Sequence, residues 1–534
     1  LGDFQNKMLQ RIWPWIAAGL SGVLLALCYA PWNQSGLVWL ALTPLLCALW
    51  FSHCDRPFRL GYVAGVVFFA ATFHWIGALG MLYRAPILYG LPLLLALYLA
   101  LYPAAWAWGL GRLIAPRGDA RRFANSWRNL GIGALAASAW TGLEWIREWL
   151  FGGFGWNGLS VALHRDLPMI QIAEWTGGIG LSWLAAFVNV MAVVVVRRIV
   201  GEVGRSFLQR IRWEFSISVA LVMIVFGYGI RTLLTWRPKV AATAQIAAIQ
   251  PNIPQQQKFD PAFEDEVLDT LERFTVMADA AKPSLILWPE SATPRGIFAD
   301  QETWTRMQSI VAQTSATILL GSTDSAENPD GTISAYNIAL SLSATSLAAQ
   351  TEPKPYRKIH LVPFGEYLPL RFALGPIAGD LVPGDFDAGS EYTVFDIPPV
   401  RLAALICFED TVADLTRRFA AHGAQLLVNL TNDGWFLRTC GAEQHLANAA
   451  LRAVENRRPL VRCGNTGVTA LVQPTGHIDR WIEPHQQGFA TKPVEVIDMA
   501  PTFYTRHGDW LAHLSVLITL AFCGIKVGVR LRKR

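Results

Sequence analysis

Long apolar stretches fill this chain up to about Leu234 and return from residue 509, whereas the 274 residues between them have the polarity of an ordinary folded domain. A chain divided in this way is built to fold as helices in a bilayer that carry a water-facing domain. The hydrocarbon core is about 30 Å thick and a helix rises about 1.5 Å per residue, so a span needs about 17–25 apolar residues. Eight stretches reach that length, at 12–30, 36–52, 60–82, 87–111, 129–151, 178–196, 213–234 and 509–528. Glycine and proline interrupt several of them, which bilayer helices tolerate when neighbours satisfy the freed backbone groups. Apolar residues make up 52% of the chain and charged residues 16%, with mean hydropathy +0.30, values that exclude an ordinary soluble or disordered protein. The expected organisation is therefore a membrane domain over 1–234 with seven transmembrane helices, an outer domain over 235–508, and a last helix with a basic tail over 509–534.

Basic residues in the short connections set the orientation. Taken alternately from the N-terminus, one side carries Lys7 and Arg11; Arg56 and Arg59; Arg112, Arg117, Arg121, Arg122 and Arg128; Arg197, Arg198, Arg205, Arg210 and Arg212; and Lys526, Arg530, Arg532, Lys533 and Arg534. The other side carries Arg84 and Arg165. Nineteen against two puts both termini in the cytoplasm and the outer domain across the membrane. The formal charge of +5 follows from this asymmetry, so no nucleic-acid partner is expected. Leu25-Ala26-Leu27-Cys28 invites reading as a lipoprotein cleavage site, but the bulky Leu27 before the cysteine argues for a retained anchor.

Seven scattered cysteines make no disulfide framework, although Cys440 and Cys463 could pair or stay free in an oxidising compartment. His360, His445 and His477 stand isolated, and no spacing suits a metal site. On the fifth apolar stretch Glu144, Arg147 and Glu148 fall at helical spacing and can neutralise one another. They either anchor the outer end of that helix among Trp145 and Trp149 or meet a lipid headgroup or the outer domain. The loop Phe151–Asn157 behind them is aromatic and glycine-rich, a shape suited to the entrance of an acyl chain.

In the outer segment strand-like runs at 243–250, 284–289, 316–321, 334–343, 400–407, 424–430 and 468–473 alternate with helical ones near 261–281, 301–314 and 441–457. That alternation predicts α/β layers. Val400–Asp410 is a near-continuous apolar run that delivers Cys407 to its own exit with an acidic pair behind it. A lone strand cysteine is more often core than nucleophile, so partners are needed. Ser284–Glu290 is a second short strand ending in a carboxylate, and Tyr356–Tyr367 offers Lys358 ahead of a turn containing Glu366. A thiol with a pKa near about 8.5 needs a base, and the carbonyl it attacks needs a cation. Glu, Lys and Cys supply those three roles.

Trp288-Pro289-Glu290, the Y-x-K-x-H-LVPFGEY stretch at 356–367, and Cys407-Phe408-Glu409 resemble the nitrilase superfamily, and the LVPFGEY form is similar to its apolipoprotein N-acyltransferases. Gln250-x-Asn252-Ile253-Pro254-Gln255, Thr431–Phe436, Arg452–Pro459 and Asn465-Thr466-Gly467 extend the likeness over essentially the whole chain. The resemblance implies an α-β-β-α sandwich with Glu290 as general base, Lys358 as oxyanion cation and Cys407 as nucleophile. It makes Glu366 a second carboxylate that orients Lys358 or the amine. Phe408 is expected to give a backbone N–H to the oxyanion, and Glu409, Asn432 and Trp435 to support the site or its substrate. Phe259 stands where the family often has Trp, and Phe408 where it often has Tyr; an aromatic ring survives at both.

The resemblance further implies a bacterial inner-membrane enzyme with its catalytic domain on the periplasmic side. Its acyl donor would be a phospholipid, its acceptor the N-terminal amine of a diacylglyceryl-cysteine apolipoprotein, and its intermediate a thioester. No cofactor is required, and a monomer is expected. A membrane-tethered amidohydrolase, in which water resolves the acyl-enzyme, is the alternative. A transporter or lipid-binding scaffold with a degenerate enzyme domain is a third reading, against which the retention of all three triad residues argues.

Overall fold

A computed structural model describes residues 2–115, 123, 125–201, 212–327, 331–350, 353–369, 371–372, 375 and 385–531. It divides into two compact units, one made of Leu1–Leu150, Phe154–Thr235 and Asp509–Arg534, the other of Phe151–Gly153 and Trp236–Gly508. Of the basic residues used for orientation, Arg117, Arg121, Arg122, Arg205, Arg210, Arg532, Lys533 and Arg534 lie outside the described residues.

The first unit is helical. Among the described residues three helices are long and apolar enough to cross a membrane, Pro86–Ile114, Ala173–Val200 and Trp213–Thr235, with a fourth if Pro57–Thr72 and His74–Leu82, bent by 57°, make one span. The other expected spans are helical over Gly2–Leu27, Thr43–Phe51, Ser126–Arg147 and Trp510–Leu531, but each is shorter or more polar than such a span requires. Small residues let these helices approach closely, since a Cβ added at Gly22 would lie 2.5 Å from the Ala64 carbonyl and one at Gly61 2.5 Å from that of Pro103. Ser126–Arg147 does end at its charged cluster, where Glu144 and Arg147 are both buried. Glu144 accepts the Leu159 N–H (2.7 Å), while the Arg147 guanidinium lies 5.4 Å from the Phe69 ring centre.

The second unit holds two six-stranded sheets. The strands are β1 (Lys239–Gln250), β2 (Leu285–Leu287), β3 (Thr317–Glu327), β4 (Ile333–Leu342), β5 (Tyr356–Arg357), β6 (Phe395–Ile397), β7 (Val400–Ile406), β8 (Leu426–Thr431), β9 (Leu460–Gly464), β10 (Thr469–Val472), β11 (Ile478–Ile482) and β12 (Gly488–Asp498). One sheet runs β12-β1-β2-β3-β4-β5 and the other β11-β10-β9-β8-β7-β6. The centre of each is parallel, β1 to β3 in one and β7 to β9 in the other. Parallel strands covered on both faces read as continuous apolar runs, which is why SLIL and VRLAALI are so uniform.

Alternation along those runs builds the layers. Ile246, Ala248, Leu287 and Leu319 pack in one core with Leu402, Leu405, Leu427 and Val461 of the other sheet. Their neighbours Ala247, Ile249, Ile286 and Ile318 point the opposite way, against Val267 and Leu271 of helix α1 (Glu264–Asp279) and Met307 and Ile310 of α2 (Gln301–Ala312). Helices α3 (Ala413–Ala421) and α4 (Gly441–Asn456) bring Phe419, Leu446 and Ala450 into the shared core. The result is an α-β-β-α sandwich of the nitrilase type. Strands β5, β6, β9, β11 and β12 go beyond the sequence expectation. The first two are only two and three residues long, β9 buries an arginine, and β12 carries Lys492 and Pro493.

At Gly321 a Cβ would stand 2.6 Å from the Glu290 Cα, so β3 can pass the end of β2 only with glycine there. Gly321→Ala is expected to destabilise the fold by about 1–3 kcal/mol through overpacking. Gly488→Ala, where nothing lies within 4 Å, should leave stability unchanged. Thermal unfolding of the two purified variants checks this, and equal midpoints would refute it.

Candidate active site

Three chain segments leave the sheets at neighbouring points. Trp288-Pro289 carries the chain from β2 to Glu290, with the Trp288 N–H bonded to the Leu319 carbonyl (2.9 Å) and its indole N–H to Thr275 (3.0 Å). Lys358 follows β5 directly, its backbone N–H on the Asn337 carbonyl at 2.8 Å. Cys407 follows β7 and has φ 51°, a left-handed backbone that costs a non-glycine residue energy and clusters at functional sites.

Lys358 is buried between two carboxylates, its Nζ 2.9 Å from Glu366 Oε1 and 3.7 Å from Glu290 Oε1. Asn337 Nδ2 donates to both acids, at 2.8 Å to Glu290 Oε1 and 3.0 Å to Glu366 Oε1. The second oxygen of each carboxylate takes a backbone N–H: Asn432 gives one to Glu290 (3.0 Å) and Val362 one to Glu366 (2.8 Å). Burial raises the Glu290 pKa above the usual carboxylate range, opposed by the Lys358 charge and reinforced by Glu366. Burial works against the charged form of Lys358, but Glu366 and Glu290 outweigh it and hold the amine firmly protonated. The half-buried Cys407 thiol is raised well above its ordinary value, by burial first and then by Glu290, with Lys358 and a hydrogen bond from Thr431 pulling the other way. At rest this arrangement is a neutral thiol beside a carboxylate and a fixed cation, able to form a thiolate when a carbonyl arrives.

The supporting residues expected from the sequence fall into two groups. Glu366 and Asn432 belong to the cluster just described, and the Asn432 side chain also donates to Gln255 Oε1 (2.8 Å) while its own Oδ1 accepts from Asn465 (3.0 Å). Phe408 is buried and stacks on His360 with ring centres 5.7 Å apart. Glu409 is a structural knot: it accepts from the Ile359, His360 and Ile406 N–H groups at 2.8, 3.0 and 2.8 Å and from the Tyr356 hydroxyl at 2.7 Å. Fully enclosed, it is pushed up to about 7 by burial, Lys358 opposing. Trp435 sits half-buried in the short turn Asp433–Phe436, and Phe259 is half exposed on the loop after Lys258.

Several residues of the site went unnamed in the sequence. Asn337 and Asn429 are lone amides in apolar strands, a signal in themselves, because a buried amide must find partners. Lys258 is buried near Glu290 and pushed down to about 8 by burial, with Glu290 opposing. His445 is not isolated as its spacing suggested: it lies in a buried cluster with Asp410, Asp433 and Arg462 beneath Cys407. Cys440 and Cys463 are free thiols, the latter in the core with its sulfur on the Ile249 and Leu287 carbonyls.

Residues 245–481 match the carbon-nitrogen hydrolase family and residues 21–191 the apolipoprotein N-acyltransferase N-terminal domain. An apolipoprotein N-acyltransferase of Geobacter metallireducens is 35% identical over 523 residues, covering 95% of each chain. One of Gloeobacter violaceus is 31% identical over 510 residues, covering 95% of this chain and 92% of its own, and one of Rhodopseudomonas palustris is 30% identical over 559 residues, covering 98% and 96%. Both halves of the chain thus match along nearly their whole length, and the chain belongs to the apolipoprotein N-acyltransferase family.

Proposed function

We propose that this protein is a membrane N-acyltransferase that moves a fatty acyl chain from a phospholipid, through a thioester on Cys407, to the N-terminal amine of a diacylglyceryl-cysteine apolipoprotein. The observation that carries this reading is the meeting of Lys358, Glu290 and Glu366 beside the strand-end thiol, in a chain whose family acts on lipoproteins. Glu290 takes the thiol proton as sulfur attacks the donor ester. Lys358 and the Phe408 N–H hold the oxyanion, the C–O bond breaks, and the proton leaves on the lysophospholipid hydroxyl. The amine then attacks the thioester, a C–N bond replaces C–S, and Glu290 carries the amine proton back to sulfur. Splitting ester-to-amide transfer in this way replaces one difficult step by two easier ones.

The reading includes eight spans, cytoplasmic termini and a periplasmic 235–508 domain in the bacterial inner membrane, supported by the nineteen-to-two bias of basic residues. A reporter fused to the C-terminus should be active only in its cytoplasmic form. One that reads as periplasmic would overturn the orientation.

Phospholipid alone should give one lysophospholipid per active enzyme and then stop, and an amine acceptor should restart turnover with ping-pong kinetics. Steady release of fatty acid from phospholipid alone would instead make the protein a hydrolase.

Because the base works deprotonated and its pKa lies above the usual carboxylate range, acylation should rise with pH through that raised value and then level off. Lys358→Met should cut the acylation rate by roughly a hundredfold to a thousandfold. It should also move the acid limb to still higher pH, since Lys358 is what opposes the rise of Glu290. A pH–rate profile of the variant with an unmoved limb would detach Lys358 from the base.

A further inference from the structure

The Cys407 carbonyl accepts two side-chain donors from beneath the site. Asn429 Nδ2 of β8 lies at 2.8 Å and His445 Nε2 of α4 at 3.2 Å. The other ring nitrogen of His445, Nδ1, is 2.8 Å from Asp433 Oδ1, a distance that calls for a proton on Nδ1 as well. With both nitrogens protonated the ring is a cation. The groups facing it are Asp410, whose Oδ1 lies 2.9 Å from Nε2, Asp433, the Arg462 guanidinium 3.3 Å from Nδ1, and the edge-on ring of Phe436. Arg462 is itself bonded to Asp410 and lies 3.5 Å from Asp433. Two buried carboxylates against two buried cations leave the cluster neutral, which is how such a group tolerates enclosure. Burial opposes the charged ring and so does Arg462, but the two aspartates prevail and push it up to about 9.

We propose that His445 is a positioning residue, a buried imidazolium that fixes the peptide joining Cys407 to Phe408 through the Cys407 carbonyl. The inference rests on Cys407 being the nucleophile. An amide is planar, and in the trans form its carbonyl and the following N–H point in opposite directions. Holding the Cys407 carbonyl down from α4 and β8 therefore fixes the direction of the Phe408 N–H on the other side, and with it the aim of an oxyanion donor. A charge-assisted bond to the carbonyl also polarises the whole amide, which strengthens its N–H. The same two bonds clamp the left-handed backbone of Cys407 against relaxing.

The test separates oxyanion formation from thiol reactivity. Acylation by a p-nitrophenyl ester builds a tetrahedral oxyanion, while alkylation by iodoacetamide needs the thiolate and builds none. In the full-length protein His445→Gln should slow the acylation burst about tenfold or more with KM little changed, as loss of an aimed donor does. The alkylation rate should stay within about threefold, because burial, Glu290 and Lys358 act on the thiol more strongly than Asp433 of the cluster does. Since His445→Gln leaves a buried negative charge, the neutral double variant His445→Gln/Asp433→Asn is measured beside it and should show the same split. An unchanged burst in either variant overturns the proposal. So does a parallel fall of burst and alkylation in both, which would make His445 merely structural. A wild-type protein that gives no burst at all removes Cys407 as the nucleophile, and the proposal falls with it.

Discussion

A lysine enclosed by protein between two carboxylates is the interaction on which the rest of the site depends. An ammonium taken out of water costs several kcal/mol unless it is paired and hydrogen-bonded. Lys358 therefore requires Glu290 and Glu366 on either side, and they require Asn337 and two backbone N–H groups to satisfy their remaining lone pairs. Removing any member would leave another charge uncompensated. Burial first, and the neighbouring Glu366 after it, raises the proton affinity of Glu290 against the opposing charge of Lys358.

Such a cluster can be assembled only where several chain segments end together. Parallel strands do this, since their carboxyl ends lie on one edge of the sheet. Strand β2 delivers Glu290, β7 delivers Cys407 and β8 delivers Asn432, while the antiparallel β4 and β5 supply Asn337 and Lys358 from the far side of the first sheet. The shared core of Ile246, Leu287, Leu405 and Leu427 holds the two sheets together and so holds Glu290 and Cys407 in register. Packing between sheets and the meeting of these polar side chains at their edge are consequences of the same alternation.

Much of this was legible in the sequence because the candidate catalytic side chains sit at strand ends, where an apolar run visibly stops at a carboxylate or a thiol. SLILWPE and VRLAALICFED carry that signature, and the amphipathic stripe of 261–281 likewise became α1. What could not be read were partners that come together only in three dimensions. His445 lies inside a helix, with Asp433 12 residues before it and Asp410 on a different segment, and nothing in its own neighbourhood announces that the fold joins it to both carboxylates. Adjacency to Cys407 suggests that Glu409 supports the site or its substrate, but not how: besides the Ile406 N–H at the end of β7, its donors are the Ile359 and His360 N–H groups and the Tyr356 hydroxyl, which the fold brings over it. Glu144 and Arg147 sit at the helical spacing of a pair, and the fold adds a backbone N–H to the one and an aromatic face to the other, neither of which the sequence announces. In the first unit, length and composition identified the helices better than they identified spans, because small residues and charges at helix ends shorten the apolar portion.

The central claim is that Cys407 carries the acyl group. Incubating the purified protein with phospholipid, digesting it, and analysing the peptides by mass spectrometry tests this most directly. The account predicts a hydroxylamine-labile acyl mass on the peptide containing Cys407, absent from Cys407→Ser. An acyl group on Cys440 or Cys463, or product formed from donor and acceptor with no acyl-enzyme at any time, would contradict it.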